Sequence, residues 1–326
     1  MKKLLSLSLL LFSSVGAISC VNQANSTQNS SENLNNKDKE KNTKQDYLLE
    51  QVEPLFKFTF SEDQTKKQEY IFDQKNKPIS KFDELNYSLY WYSPFYLDMD
   101  RKNREFRRLS LNAKKIINQT LTKDWFWFLN NLEKIGFVLN PYGDEYYHDT
   151  FGLDTTQYVL LNDADRPYLI TNLKTNKAHL IIKDFDIQNE NNQFKLLKSF
   201  YLIIDQKRFL NGFIYQKDDS VTIQFTGDVY EIFNNEEVLQ KSNMEDFINK
   251  FQQELLTQYQ KNTQSYISYR EKLDPNTDTK ALAQKFNDQW FLTLFNPDAY
   301  SKSAFLAIKE LQKENINLMR FTIRKV

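Results

Sequence analysis

A chain of 326 residues with 43 basic and 43 acidic side chains carries no net charge, so no overall field draws it to nucleic acid or to acidic partners. Its 6 glycines are scattered, with no G-x-G-x-x-G, P-loop or G-x-S-x-G, which argues against a doubly wound nucleotide-binding sheet and against a hydrolase nucleophile elbow. The single cysteine excludes a disulfide framework and leaves the hydrophobic core to hold the fold, for which the chain is long enough.

The N-terminus, MKKLLSLSLLLFSSVGAISC, sets Lys2 and Lys3 before a short apolar run, Leu4 to Phe12. Such a run is far below the roughly 20 residues of a membrane-spanning helix and reads as a cleavable signal, residues 1–19. Ala17-Ile18-Ser19-Cys20 resembles the lipobox of bacterial lipoproteins. That resemblance implies a diacylglyceryl group on Cys20, cleavage before it, and a lipid anchor on the extracellular face of the cell membrane. Two acyl chains suffice for stable anchoring. Residues 21–46 are Asn-, Ser-, Gln-, Lys- and Glu-rich and cannot bury enough surface to order themselves. They read as a tether with a mean reach of roughly 25–30 Å. The remainder, 47–326, reads as a single α+β surface domain.

Helical periodicity runs from Tyr47 to about Gln74, with Pro54 expected to break or kink it. Leu85 to Asp100 is an aromatic stretch interrupted by Pro94, read as an irregular loop from about Tyr90. A helix follows from about Lys102 to Lys134, in one piece or two. After Gly136 come the turn residues Asn140, Pro141 and Gly143. Short β-rich runs with brief polar separators occupy about 158–233 and predict an antiparallel meander. Thr222, Gln224 and Thr226 alternate with Val221, Ile223 and Phe225, which predicts a sheet wet on one face. Helices return at 244–273, 278–295 and 301–314, and the alternating tail INLMRFTIRKV reads as a closing strand. The fold class is α+β: N-terminal helices, a central antiparallel β-meander, C-terminal helices and a closing strand.

Trp125 to Leu129 is apolar all the way round a helix. Leu121, Trp125, Phe128, Leu129 and Leu132 share one arc, and Phe126 and Trp127 lie outside it on opposite flanks. Either the helix is buried, between the sheet and the 244–273 helix, or Phe126 and Trp127 belong to an exposed aromatic contact surface with Tyr90, Trp91, Tyr92, Phe95 and Tyr96. AT-rich coding would by itself favour Phe, Tyr, Ile, Lys and Asn, so aromatic clusters also arise without a functional cause. The basic run Arg101, Lys102, Arg104, Arg107 and Arg108 is a candidate contact for anionic headgroups, ahead of nucleic acid because of the anchor and the neutral net charge.

Other chemistry finds few parts. His148, near Asp144, Glu145 and Asp149, lacks a second local histidine, so no metal site is assigned. DMDRKNREF begins like a calcium loop but places Lys102 at a ligand position and Asn103 where glycine is needed. No catalytic residue and no cofactor are assigned.

The lipobox, the polar spacer, the WYSPFY cluster and DWFWFLNNLEKIGFVLNPYGDEY together resemble the aromatic-motif surface lipoproteins of mycoplasmas, most closely over the N-terminal half. The resemblance implies a membrane-anchored surface protein of unassigned biochemical function and carries over no catalytic residue. The resulting expectation is a lipid-anchored protein with a binding or display role toward a host or neighbouring surface protein. Alternatives are a surface hydrolase of host glycan or nucleic acid, with the Asp144–Asp149 loop as its site, and a structural subunit of a membrane complex.

Overall fold

Between Gly136 and the C-terminus the chain alternates β-branched and aromatic residues with short polar breaks, and in the computed structural model these runs pair into one sheet. The structure describes residues 47–91, 104–139, 169–185, 194–217, 220–233, 243–283 and 300–324. The strands are β1 (Gly136–Leu139), β2 (Leu169–Ile170), β3 (His179–Asp184), β4 (Phe194–Ile203), β5 (Arg208–Lys217), β6 (Ser220–Ile232) and β7 (Leu318–Arg324). They lie in the order β2-β1-β7-β6-β5-β4-β3, antiparallel throughout. The meander from β3 to β6 is as expected. The last strand is not at an edge: β7 sits between β6 and β1. Strand β1, just before the expected turn residues Asn140, Pro141 and Gly143, was not foreseen, and the β-rich run at 158–162 lies outside the described residues.

Before β1 run α1 (Glu53–Phe60), α2 (Gln64–Lys75), α3 (Ser80–Trp91), α4 (Arg104–Thr122) and α5 (Trp125–Asn130), with a helical stretch over 47–51 ahead of them. After the meander come α6 (Met244–Leu273) and α7 (Lys302–Lys313), with a helical stretch over 279–283 between them. The break expected at Pro54 is there: the helix over 47–51 gives way at Val52, and Pro54 takes the first turn of α1, where a missing N–H costs nothing. A second break comes at Ser61, whose φ is 50°. Asn243 begins α6 by accepting the Glu245 N–H, and the helix stops before Asp274-Pro275. Tyr90 and Trp91, expected at the start of an irregular loop, complete α3.

The helices divide between the two faces of the sheet. Leu202, Leu210, Ile214, Ile223, Phe225, Val229, Met319 and Phe321 share a core with α1–α5. Tyr201, Phe209, Phe213, Tyr230, Ile232 and Leu318 share another with α6 and α7. The sheet is therefore covered on both faces. Gln224 and Thr226, expected in water, are 2% and 1% exposed because α6 and α7 lie over their side. The alternation was real, but its polar half faces a second helical layer.

Two glycines shape the middle of the sheet. A Cβ on Gly212 would come 2.2 Å from the Phe200 ring and 2.4 Å from the Gln224 carbonyl oxygen, so only glycine lets Phe200 lie across β5 onto Phe225, 4.9 Å between ring centres. Gly227 has φ 76° inside a bulge, where Leu210 opposes Val229 but Gly212 opposes Phe225. The bulge merges two runs of the sequence, SVTIQFTG and VYEIF, into the single strand β6.

Candidate functional site

The aromatic run answers first to a break in the backbone. Helix α4 ends at Thr122, the Asp124 N–H reaches back to the Gln119 carbonyl at 3.0 Å, and a separate helix, α5, starts at Trp125. A continuous helix would leave Phe126 and Trp127 on its flanks. The short separate one is enclosed, and Trp125, Phe126, Trp127, Phe128 and Leu129 are all buried. Phe126 packs against Phe56 of α1 (5.3 Å), Trp125 against Phe56 (4.9 Å) and Phe225 (6.3 Å), and Trp127 against Phe82 of α3 (5.1 Å). Phe126 and Trp127 are therefore core residues and are withdrawn as a contact surface. Their cover comes from α1, α2 and α3. Helix α6, which sequence reasoning placed against them, lies across the sheet.

The first turn of α5 is satisfied by its neighbours. The Trp127 N–H donates to Gln74 Oε1 at 3.2 Å and the Phe126 N–H to the Tyr70 hydroxyl at 3.5 Å, both from α2. Asp124 does not cap its own helix. Its carboxylate takes Lys81 Nζ at 3.0 Å, Lys77 Nζ at 3.2 Å and Gln74 Nε2 at 3.3 Å. Burial alone would raise the Asp124 carboxyl, but Lys81, Gln74 and Lys77 together hold it below the usual carboxylate value. Burial pushes the Tyr70 hydroxyl well above its ordinary range.

On the other face a polar network crosses the sheet beneath the start of α7. Arg320 of β7 donates from Nε to Asp228 Oδ2 at 2.9 Å and from Nη2 to the Ser301 hydroxyl at 2.9 Å. The Thr322 hydroxyl donates to the other Asp228 oxygen at 2.8 Å. The Tyr300 hydroxyl meets that of Tyr230 at 2.5 Å and receives the Asn211 amide at 2.7 Å, and Thr226 donates to Asn211 Oδ1 at 2.6 Å. Asp228 and Arg320 are 1% and 4% exposed. Burial raises the Asp228 carboxyl against the pull of Arg320 and Thr322. This network escaped sequence reasoning, although a signal was there: Asp228 and Arg320 set opposite charges inside runs that read as strand.

The surface candidates divide. Tyr90 ends α3 with 67% of its surface exposed, and Tyr87, one turn earlier and not singled out from sequence, is 58% exposed. Trp91 closes the same helix; Tyr92, Phe95, Tyr96 and Arg101 lie outside the described residues. Arg104, Arg107 and Arg108 fall in the first turns of α4, where Arg108 is exposed. Exposed Leu111 and Lys115 follow on the same helix and were not foreseen. His179 is on β3, its ring nitrogen 3.4 Å from Gln51 Oε1, while His148 and the Asp144–Asp149 loop lie outside the described residues. Among the described residues, no cluster of His, Cys, Asp and Glu could hold a metal ion, and no helix is long and apolar enough to cross a membrane.

Residues 22–274 match the family model described as "Aromatic cluster surface protein". No curated protein and no solved structure matches the chain significantly.

Proposed function

The chain belongs to the aromatic cluster surface protein family and is a surface protein, and from that premise we propose that it is held to the membrane by lipid on Cys20 and acts by binding or display, without catalysis. The observation that carries the anchor is the chain's single cysteine, placed directly after Ala17-Ile18-Ser19 at the end of a short apolar run. The polar stretch 21–46 then separates the lipid from the folded body. Burial of Trp125–Leu129 moves the binding role away from the most conspicuous aromatics and onto exposed ones such as Tyr87 and Tyr90.

Cells expressing the chain in the presence of an alkyne-tagged fatty acid test the anchor. The parent is expected to take up the label and to enter the detergent phase of a Triton X-114 extract, and Cys20→Ser to do neither. Label retained by Cys20→Ser, or absent from the parent, overturns the anchor. Protease added to intact cells should remove the body and leave cytoplasmic markers untouched.

A further inference from the structure

We propose that the outer face of the α3–α4 pair lies flat on an anionic phospholipid surface, the same membrane to which Cys20 would tether the chain. This rests on the lipid-anchored reading above and adds a second, non-covalent contact to it.

The charge is concentrated. Helix α4 contains Arg104, Arg107, Arg108, Lys114 and Lys115 against the single acid Glu105, in a chain whose basic and acidic residues are equal in number. Positions 104, 108, 111 and 115 follow the 4-3-4 spacing of one helix face. Of these, Arg108, Leu111 and Lys115 are exposed. The opposite side of α4, through Ala113, Ile117 and Leu121, is in the core. Helix α3 packs along α4 and puts Leu85 and Leu89 into that same core. Both helices lie over one face of the sheet, so their outer sides look the same way. Tyr87 and Tyr90 are on the outer side of α3. The acids on α3, Asp83 and Glu84, are near its start, and Glu84 accepts from Lys81 at 3.2 Å.

Cations flanking a leucine, with tyrosines on the adjoining helix, are the composition of a surface that rests in the headgroup region. Basic side chains meet anionic headgroups, tyrosine rings sit at headgroup level, and an apolar residue enters the acyl boundary. A nucleic-acid backbone would satisfy the cations but offer nothing to Leu111, which is 54% exposed.

The test uses the full mature chain carrying Cys20→Ser, so that no lipid anchor contributes, in flotation with phosphatidylcholine vesicles and with phosphatidylcholine–phosphatidylglycerol vesicles. Binding is expected only to the anionic vesicles and should fall as salt is added. Arg108→Gln and Lys115→Gln should each weaken it about fivefold, and together roughly 25-fold, with unchanged thermal melting. Tyr87→Ser with Tyr90→Ser should weaken it further, also without loss of fold. Equal binding to both vesicle types, no binding, or indifference to these substitutions overturns the proposal. So does an affinity for single-stranded nucleic acid that exceeds the vesicle affinity, or a dimer that the same substitutions dissociate. Failure here with Cys20 acylated in cells would leave the anchor standing; loss of acylation with vesicle binding intact would do the reverse.

Discussion

On the α1–α5 side of the sheet the interior is filled by rings, and the buried carboxylate of Asp124 meets Lys77, which is partly exposed, and Lys81, which is itself buried. On the α6–α7 side the rings share the space with hydroxyls and amides, and the ion pair Asp228–Arg320 lies between two central strands. Both sides bury large aromatics, yet they differ in what a single substitution exposes. The first side loses mainly packing when cut, because rings fill most of it. The second loses compensation, because each polar atom there depends on another that is also out of water.

The widest gap between the sides should come from the ion pair. Arg320→Met leaves the Asp228 carboxylate buried beside Thr322 and is expected to cost about 3–5 kcal/mol in urea denaturation. Adding Asp228→Leu should recover most of that loss, since removing both charges removes the desolvation problem. A double variant as unstable as the single one would show that the network holds the bulge and not merely its own charges. Phe126→Ala, on the ring-filled side, should also cost about 3–5 kcal/mol, with no partner substitution able to restore it.

Gly212→Ala tests the sheet between the two layers. The added Cβ meets both Phe200 and the Gln224 backbone oxygen, and the expected loss is about 3 kcal/mol or more. Asp124→Asn should cost less, about 2 kcal/mol at neutral pH, because Lys81 keeps Glu84 and Lys77 keeps Asp73 as partners. Its pH dependence is specific. Lys81, Gln74 and Lys77 outweigh burial and hold the folded-state carboxyl below its unfolded value of 3.8, so the stabilisation is complete above that value and is lost as pH falls through the lower folded one. The variant should therefore flatten the acid limb of the stability curve. An unchanged limb would assign acid sensitivity to other carboxylates.

The smallest effects separate core from surface aromatics. Tyr90→Ser should change stability by less than about 0.5 kcal/mol. Trp127→Phe should reduce blue-shifted tryptophan emission while leaving the acrylamide-quenchable part as it was, because Trp127 is 5% exposed. A fall in the quenchable part would return Trp127 to the surface.

Much of the local structure was readable because it is written in local periods. The helix over 244–273 with its stop at Asp274-Pro275, the meander runs and the final strand all announce themselves by apolar spacing and turn residues. The same spacing misled where it reports only one face of an element. Gln224 and Thr226 read as part of a wet face because polar residues alternating with apolar ones usually meet water. Phe126 and Trp127 read as flanking because the helix was drawn straight through Lys123-Asp124. Neither error could be repaired by a closer look at those residues alone.

The sequence by itself determined the kind of most elements, the polar stretch before the folded body, and the basic bias of α4, since each depends on residues close along the chain. Only the tertiary structure decided that both sheet faces are covered, that β7 enters the middle of the sheet, and that Asp228 meets Arg320 across 92 positions. The reason is physical. A side chain's own pattern fixes which way it points, but whether it meets water, a ring or an opposite charge is set by whichever distant segment fills the space in front of it.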